Sequence, residues 1–94
     1  MLVIDDDSVF QVNEGVAIRN VKNRVYFMLD SRTGSQYDLT EMEYEILDAL
    51  SGHKSLREIV DTLIAEYDGD AQEIRDDLRR YTEQLLSGGL ISIL

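Results

Sequence analysis

The stretch LDSRTGSQYDL, residues 29–39, runs directly into TEMEYEILDAL, residues 40–50, and the chain changes its structural period at that junction. In the first part, RTG reads as a tight turn in which Gly34 can take a positive φ, and Tyr37 and Leu39 then alternate with Gln36 and Asp38 as in a strand. In the second part Met42, Ile46, Leu47 and Leu50 recur at helical spacing. Thr40 with Glu43 has the spacing of a capping box, so the helix starts there.

Working upstream, VAIRNV and RVYFML are short runs rich in β-branched and aromatic residues, joined by KNR at 22–24. With 35–39 they give three antiparallel strands at about 16–21, 24–30 and 35–39. VFQV, residues 9–12, carries the same extended signal. Downstream, Leu56, Ile59, Val60, Leu63 and Ile64 share one helical face, and Ile74, Leu78, Tyr81 and Leu85 another. Ser55 with Glu58 and Asp70 with Glu73 mark the starts of these helices. Gly52, Gly69 and the Gly88–Gly89 pair mark helix ends, as residues that tolerate the left-handed conformation. The chain contains no proline. The expected fold is α+β and winged-helix-like: a three-stranded antiparallel β-meander followed by three α-helices.

Ninety-four residues suffice for one domain with one modest core. Residues 1–14, with Asp5, Asp6 and Asp7, read as an acidic N-terminal arm, and 15–94 as the domain. Nine Lys and Arg stand against 19 Asp and Glu, a net charge of -10, which repels nucleic acid at long range. There is no cysteine, no export signal and no apolar run approaching the roughly 20 residues that span a bilayer. A cytoplasmic protein, with neither nucleic acid nor membrane as partner, is expected.

No constellation for catalysis is legible. His53 is the sole histidine, in the turn SGHKS, without partners for a metal. Asp5–Asp7 lacks the alternating ligands and central glycine of a calcium loop. Ser8 and Ser31 follow aspartates, as the serine of a carrier protein does, but neither opens a leucine-rich helix. Arg75, Arg79 and Arg80 occupy the position of a recognition helix, yet Glu73, Asp76, Asp77 and Glu83 share that helix and leave no basic face. The expectation is a non-enzyme without cofactor or metal, whose business is binding.

The strand 35–39 then raises its own question. A meander has two edges, and this one carries no proline, lysine or bulge to block it, so an extended peptide can add to it. The pattern LDSRTGSQYDLTEMEYEILDALSG, with SLREIVDTL and DLRRYTEQLLSGGLI, resembles the PqqD-like proteins, peptide chaperones known as RiPP precursor peptide recognition elements. The resemblance runs from about residue 15 to 93. It rests on the order and spacing of DSRTG, Leu39, Ile46–Leu47, Gly52, Ile59, Leu63, Asp77–Leu78, Tyr81, Leu85 and GLI. Thr40, where asparagine is frequent, and the acidic arm depart from the family's commonest form.

What the resemblance implies is binding of the leader segment of a ribosomally made precursor peptide as an added strand, against the helix at 70–87. The peptide is then delivered to a modifying enzyme such as a radical SAM protein or leader peptidase. The expected groove takes Ser35, Gln36, Tyr37 and Asp38 from the strand, and Ile74, Leu78 and Tyr81 from the helix, with Arg75 and Asp77 flanking. The alternative is a winged-helix transcriptional regulator, or a dimeric assembly domain in which a homodimer partner covers the strand edge.

Overall fold

The computed structural model describes residues 5–94; the first four residues of the expected acidic arm, 1–4, lie outside the described residues. The element order is β1 (Phe10–Val12), β2 (Val16–Val21), β3 (Val25–Asp30), β4 (Ser35–Leu39), α1 (Glu41–Ser51), α2 (Leu56–Glu66), α3 (Ala71–Ser87) and β5 (Ile91–Ile93). Three antiparallel strands followed by three helices is the α+β arrangement that the change of period at Thr40 implies.

The meander has the order β2-β3-β4, with β4 at one edge. Its register places Ile18, Met28 and Tyr37 side by side, and Tyr26 beside Leu39. Because side chains alternate across a strand, these residues share the face turned to the helices. Met28 is buried there, with Ile18 and Leu39 packed against the core. The opposite face carries Arg19, Val21, Val25, Gln36 and Asp38, all exposed. The first hairpin turns through Lys22 and Asn23, both with φ 54°. Asn20 and Asn23 exchange two hydrogen bonds of 2.9 Å that hold this turn. Gly34 takes φ 76° in the second, as its position in RTG requires.

Two short strands make a second sheet. β1 pairs antiparallel with β5, Phe10 opposite Ile93 and Val12 opposite Ile91. Phe10 is fully buried, and Val12 packs against the core. Residues 10–12 of the segment read as an arm therefore form a paired strand of the folded body. The extended signal in VFQV is visible in the sequence, but its partner lies some eighty residues away and three residues are too few to show a period.

The aspartates before β1 are also tied down. The Asp6 carbonyl accepts the Arg57 N–H at 2.9 Å, and Asp7 and Asp6 lie 3.4 and 3.9 Å from the Arg57 and Arg79 guanidinium groups.

The core is formed by α1, α2 and α3 under the sheet, with Ile46, Leu47, Leu50, Leu56, Ile59, Val60, Leu63, Leu78 and Leu85 all buried. Thr40 and Ser55 each form a complete capping box with Glu43 and Glu58, while Asp70 accepts from the N–H groups of Gln72 and Glu73 without a returning bond. Two expectations need correction. Ile64 is exposed, since the helical stripe of α2 is narrower than its apolar sequence. Thr82 is buried instead, its hydroxyl donating to the Leu78 carbonyl at 2.8 Å, which lets a polar residue enter the core at no unsatisfied cost.

The ends of α1 and α3 share one device with different residues. Lys54 N–H reaches the Ala49 carbonyl and His53 N–H that of Leu50; Leu90 N–H reaches Leu85 and Gly89 N–H reaches Leu86. This is the Schellman pattern. The left-handed position is Gly89 in α3, at φ 71°, but in α1 it is His53, at φ 60°, and not Gly52, whose φ is -82°. A histidine in this conformation carries a steric cost that glycine avoids. His53→Gly is expected to raise the stability, and Gly89→Ala to lower it, each by about 1 kcal/mol. Urea denaturation of the two variants beside the parent checks both signs.

Candidate functional site: a groove between the edge strand and the last helix

The turn DSRTG fixes where β4 lies. Asp30 ends β3 almost fully buried, and its carboxylate accepts from Arg32 three times: the backbone N–H at 3.0 Å, Nε at 2.9 Å and Nη2 at 3.0 Å. The same Nη2 donates to the Gly89 carbonyl at 2.7 Å, and Asn13 Nδ2 donates to that carbonyl at 2.8 Å. The hairpin before β4 is thus bonded to the turn that follows α3. Ser31 adds two bonds of 2.9 Å to the Gly15 carbonyl. At its other end β4 passes into the Thr40 capping box, so strand and helix axes are set from both sides.

The backbone of β4 pairs with β3 on one side only. Arg24 N–H bonds the Val21 carbonyl to close the first hairpin, and Gly34 N–H bonds the Asp30 carbonyl to close the second. In an antiparallel ladder, residues alternate between facing their partner and facing away. Counting from these closures, Ser35, Tyr37 and Leu39 face β3, and Gln36 and Asp38 turn their N–H and C=O groups to the open side.

A hollow of about 280 Å³ lies between β4 and α3. Met28, Leu39, Leu85 and Leu90 supply its apolar lining; Tyr37, Asp38, Glu43, Tyr81 and Gln84 stand around it. A second hollow of about 230 Å³ continues between α1 and α3, lined by Met42, Ile46, Ile74, Asp77, Leu78 and Arg80 among others. Glu43, Tyr81 and Gln84 border both. Burial, and after it the charge of Glu43, pushes the Tyr81 phenol up, so it stays protonated and can donate.

The residues expected from the sequence separate accordingly. Tyr37, Asp38 and Tyr81 border the first hollow, and Ile74, Asp77, Leu78 and Tyr81 the second. Ser35 and Gln36 lie on the same strand but line neither. Arg75 is brought elsewhere, to a small hollow with Asp6, Arg57 and Asp61. Glu43, Gln84 and Gly88 were not anticipated as bordering the groove. Gln84 follows Tyr81 by three and Gly88 follows it by seven, so the helical spacing of the stripe could have indicated them. Glu43 reads in sequence as a capping residue and gives no second signal.

Among the described residues no cluster of three metal-ligating side chains occurs. One carboxyl outside the groove is perturbed: burial and a shared hydrogen bond with Glu66 push Glu45 up, while the Tyr67 hydroxyl donates to it at 3.1 Å.

The model of the family described as coenzyme PQQ synthesis protein D (PqqD) matches residues 26–91, more than half of the chain. A comparison with curated protein sequences finds no match. Among solved structures, TbiB1 in complex with the TbiA(beta) leader peptide is similar with a TM-score of 0.78 and 26% identity, over 87% of this chain and 94% of that one. A lasso peptide synthetase B1 complexed with the leader peptide has the same fold, with a TM-score of 0.78 at 18% identity, over 88% and 96% of the two chains.

The Asp30–Arg32 pair makes a testable demand. The hydrogen bonds from Arg32 hold the Asp30 carboxyl below its usual value of 3.8, so its stabilisation is present above that value and is lost as pH falls through the lowered one. Asp30→Asn is expected to cost about 1–3 kcal/mol at neutral pH. Arg32→Lys is expected not to restore the clamp, because one ammonium cannot replace the fork that spans Asp30 and Gly89. Urea denaturation at neutral pH should give both losses, and the gap between parent and Asp30→Asn should narrow as pH drops below 3.8.

Proposed function

Because the chain belongs to the PqqD family, we propose that it binds the leader segment of a ribosomally synthesised precursor peptide and performs no chemistry on it. The observation that carries this is the open side of β4, where Gln36 and Asp38 leave backbone groups unpaired beside an apolar hollow. An added strand satisfies those groups with main-chain bonds, which supply affinity largely independent of sequence, while its side chains on alternate positions reach the hollow and supply selectivity. The likeness to TbiB1 in complex with a leader peptide supports the same reading.

In this proposal Gln36 and Asp38 pair with the guest backbone, Tyr37 and Tyr81 flank its inward side chains, and Ser35 extends the ladder. Ile74, Leu78 and Asp77 receive the part of the peptide that runs on past β4 over the start of α1. Arg75, on the other side of α3, is a candidate for contact with a partner protein. That partner is an enzyme that modifies or cleaves the held peptide, such as a radical SAM protein or leader peptidase. The work is placed in the cytoplasm, where precursor peptides are made. No helix among the described residues is long and apolar enough to cross a membrane.

A transcriptional role is the weaker reading. In α3, Arg79 lies 3.9 Å from Asp6 and Arg80 lies 3.3 Å from Asp77, so two of its three arginines are engaged by carboxylates. The net charge of -10 opposes phosphate binding.

Proline substitutions test the backbone bonds directly. Gln36→Pro and Asp38→Pro each remove an outward N–H without touching the bonds to β3, and edge strands tolerate proline. Each is expected to weaken binding of the leader encoded beside the gene by about tenfold or more, with the circular dichroism spectrum kept. If both folded variants bind like the parent, strand addition at β4 is wrong.

A further inference from the structure

Two hollows share one wall, and that wall holds an uncompensated carboxylate. Glu43 borders both the hollow beside β4 and the one between α1 and α3. One of its oxygens accepts the Thr40 N–H at 2.8 Å, closing the capping box. No ion pair among the described residues includes Glu43, nor Asp38 further along the groove. The contrast within the second hollow is direct: Asp77 there has Arg80 at 3.3 Å. In the first hollow the charged residues are Asp38 and Glu43, both acidic, set against an apolar lining.

While the groove is open, water compensates these carboxylates. A peptide lying across both hollows removes that water. An apolar or acidic residue placed over Glu43 then leaves a charge desolvated and unpaired, which is costly, whereas a cation restores the pairing. The apolar hollows on either side call for apolar side chains by the same reasoning. Long-range attraction acts in the same direction, since the whole protein carries a net charge of -10.

We infer that the peptide held here carries a lysine or arginine between two apolar anchors, and that Glu43 is the residue that selects the cation. The inference rests on the leader-binding reading and adds the chemistry of the guest to it. Tyr81 and Gln84, which border both hollows, shape the passage between the anchors; Asp38 reinforces the preference on the β4 side.

Selection from a displayed library of short random peptides tests this with no knowledge of the natural precursor. The parent protein is expected to enrich lysine or arginine flanked by Leu, Ile, Val, Met or aromatic residues. Glu43→Gln keeps a side chain suited to the third position of a capping box. It is expected to retain the apolar anchors and lose the basic enrichment.

A synthetic selected peptide whose cation is replaced by glutamine should bind the parent about fivefold more weakly, and bind Glu43→Gln with little change. The peptide-side substitution reads out the pairing on the parent even if the protein variant does not fold. Apolar anchors without basic enrichment overturn the inference alone, as does undiminished basic enrichment on folded Glu43→Gln. If no peptide is selected, or the selected peptides bind Asp38→Pro and Gln36→Pro as well as the parent, the leader-binding reading falls with it.

Discussion

The buried carboxylate of Asp30 organises the functional half of this molecule. A charge taken out of water must be paired, and Arg32, two residues along, supplies three donors to it. The guanidinium then has one direction left in which to donate, and it uses the Gly89 carbonyl beyond the end of α3. A single ion pair thereby couples the β3–β4 turn to the far end of the last helix. The width of the groove between β4 and α3 follows from that coupling, because the strand cannot swing outward without exposing Asp30 or releasing Gly89. Asn13, which donates to the same carbonyl, brings the chain before β2 into the arrangement.

The free edge of β4 makes sense within this frame. Natural sheets hide or blunt their edges, since unpaired N–H and C=O groups invite aggregation. This chain leaves the edge open but keeps it short, five residues, and surrounds it with negative charge. The negative charge discourages a second copy from adding there and favours a basic guest. The same carboxylates that keep the protein apart from its own kind are thus available to choose what it binds.

Much of this was legible in the sequence. The switch from period two to period 3.6 at Thr40 places the junction of sheet and helices, and the capping pairs Thr40–Glu43 and Ser55–Glu58 set helix starts that the structure reproduces. Tyr37 and Tyr81 could be put on facing surfaces from strand alternation and the helical stripe.

The rest depended on contacts that leave no local pattern. β1 and β5 are three residues each and find one another across most of the chain. The burial of Asp30 is invisible in a turn sequence that reads as polar. Arg75 and Asp77 are two apart on α3, which is enough to send them to different sides of a helix, so they could not both flank one groove. Glu43 looked committed to its cap, and only the packing of α1 against α3 reveals that it also faces two hollows.

Amide hydrogen exchange, residue by residue, with and without the leader peptide of the adjacent precursor gene, tests the central claim most directly. An added strand takes up the outward N–H groups of β4. The account predicts that the amides of Gln36 and Asp38 become strongly protected on binding, while those of Tyr37 and Leu39, already bonded to β3, change little. Protection that leaves Gln36 and Asp38 unaltered and appears instead along β2 or on the exposed side of α3 would contradict it.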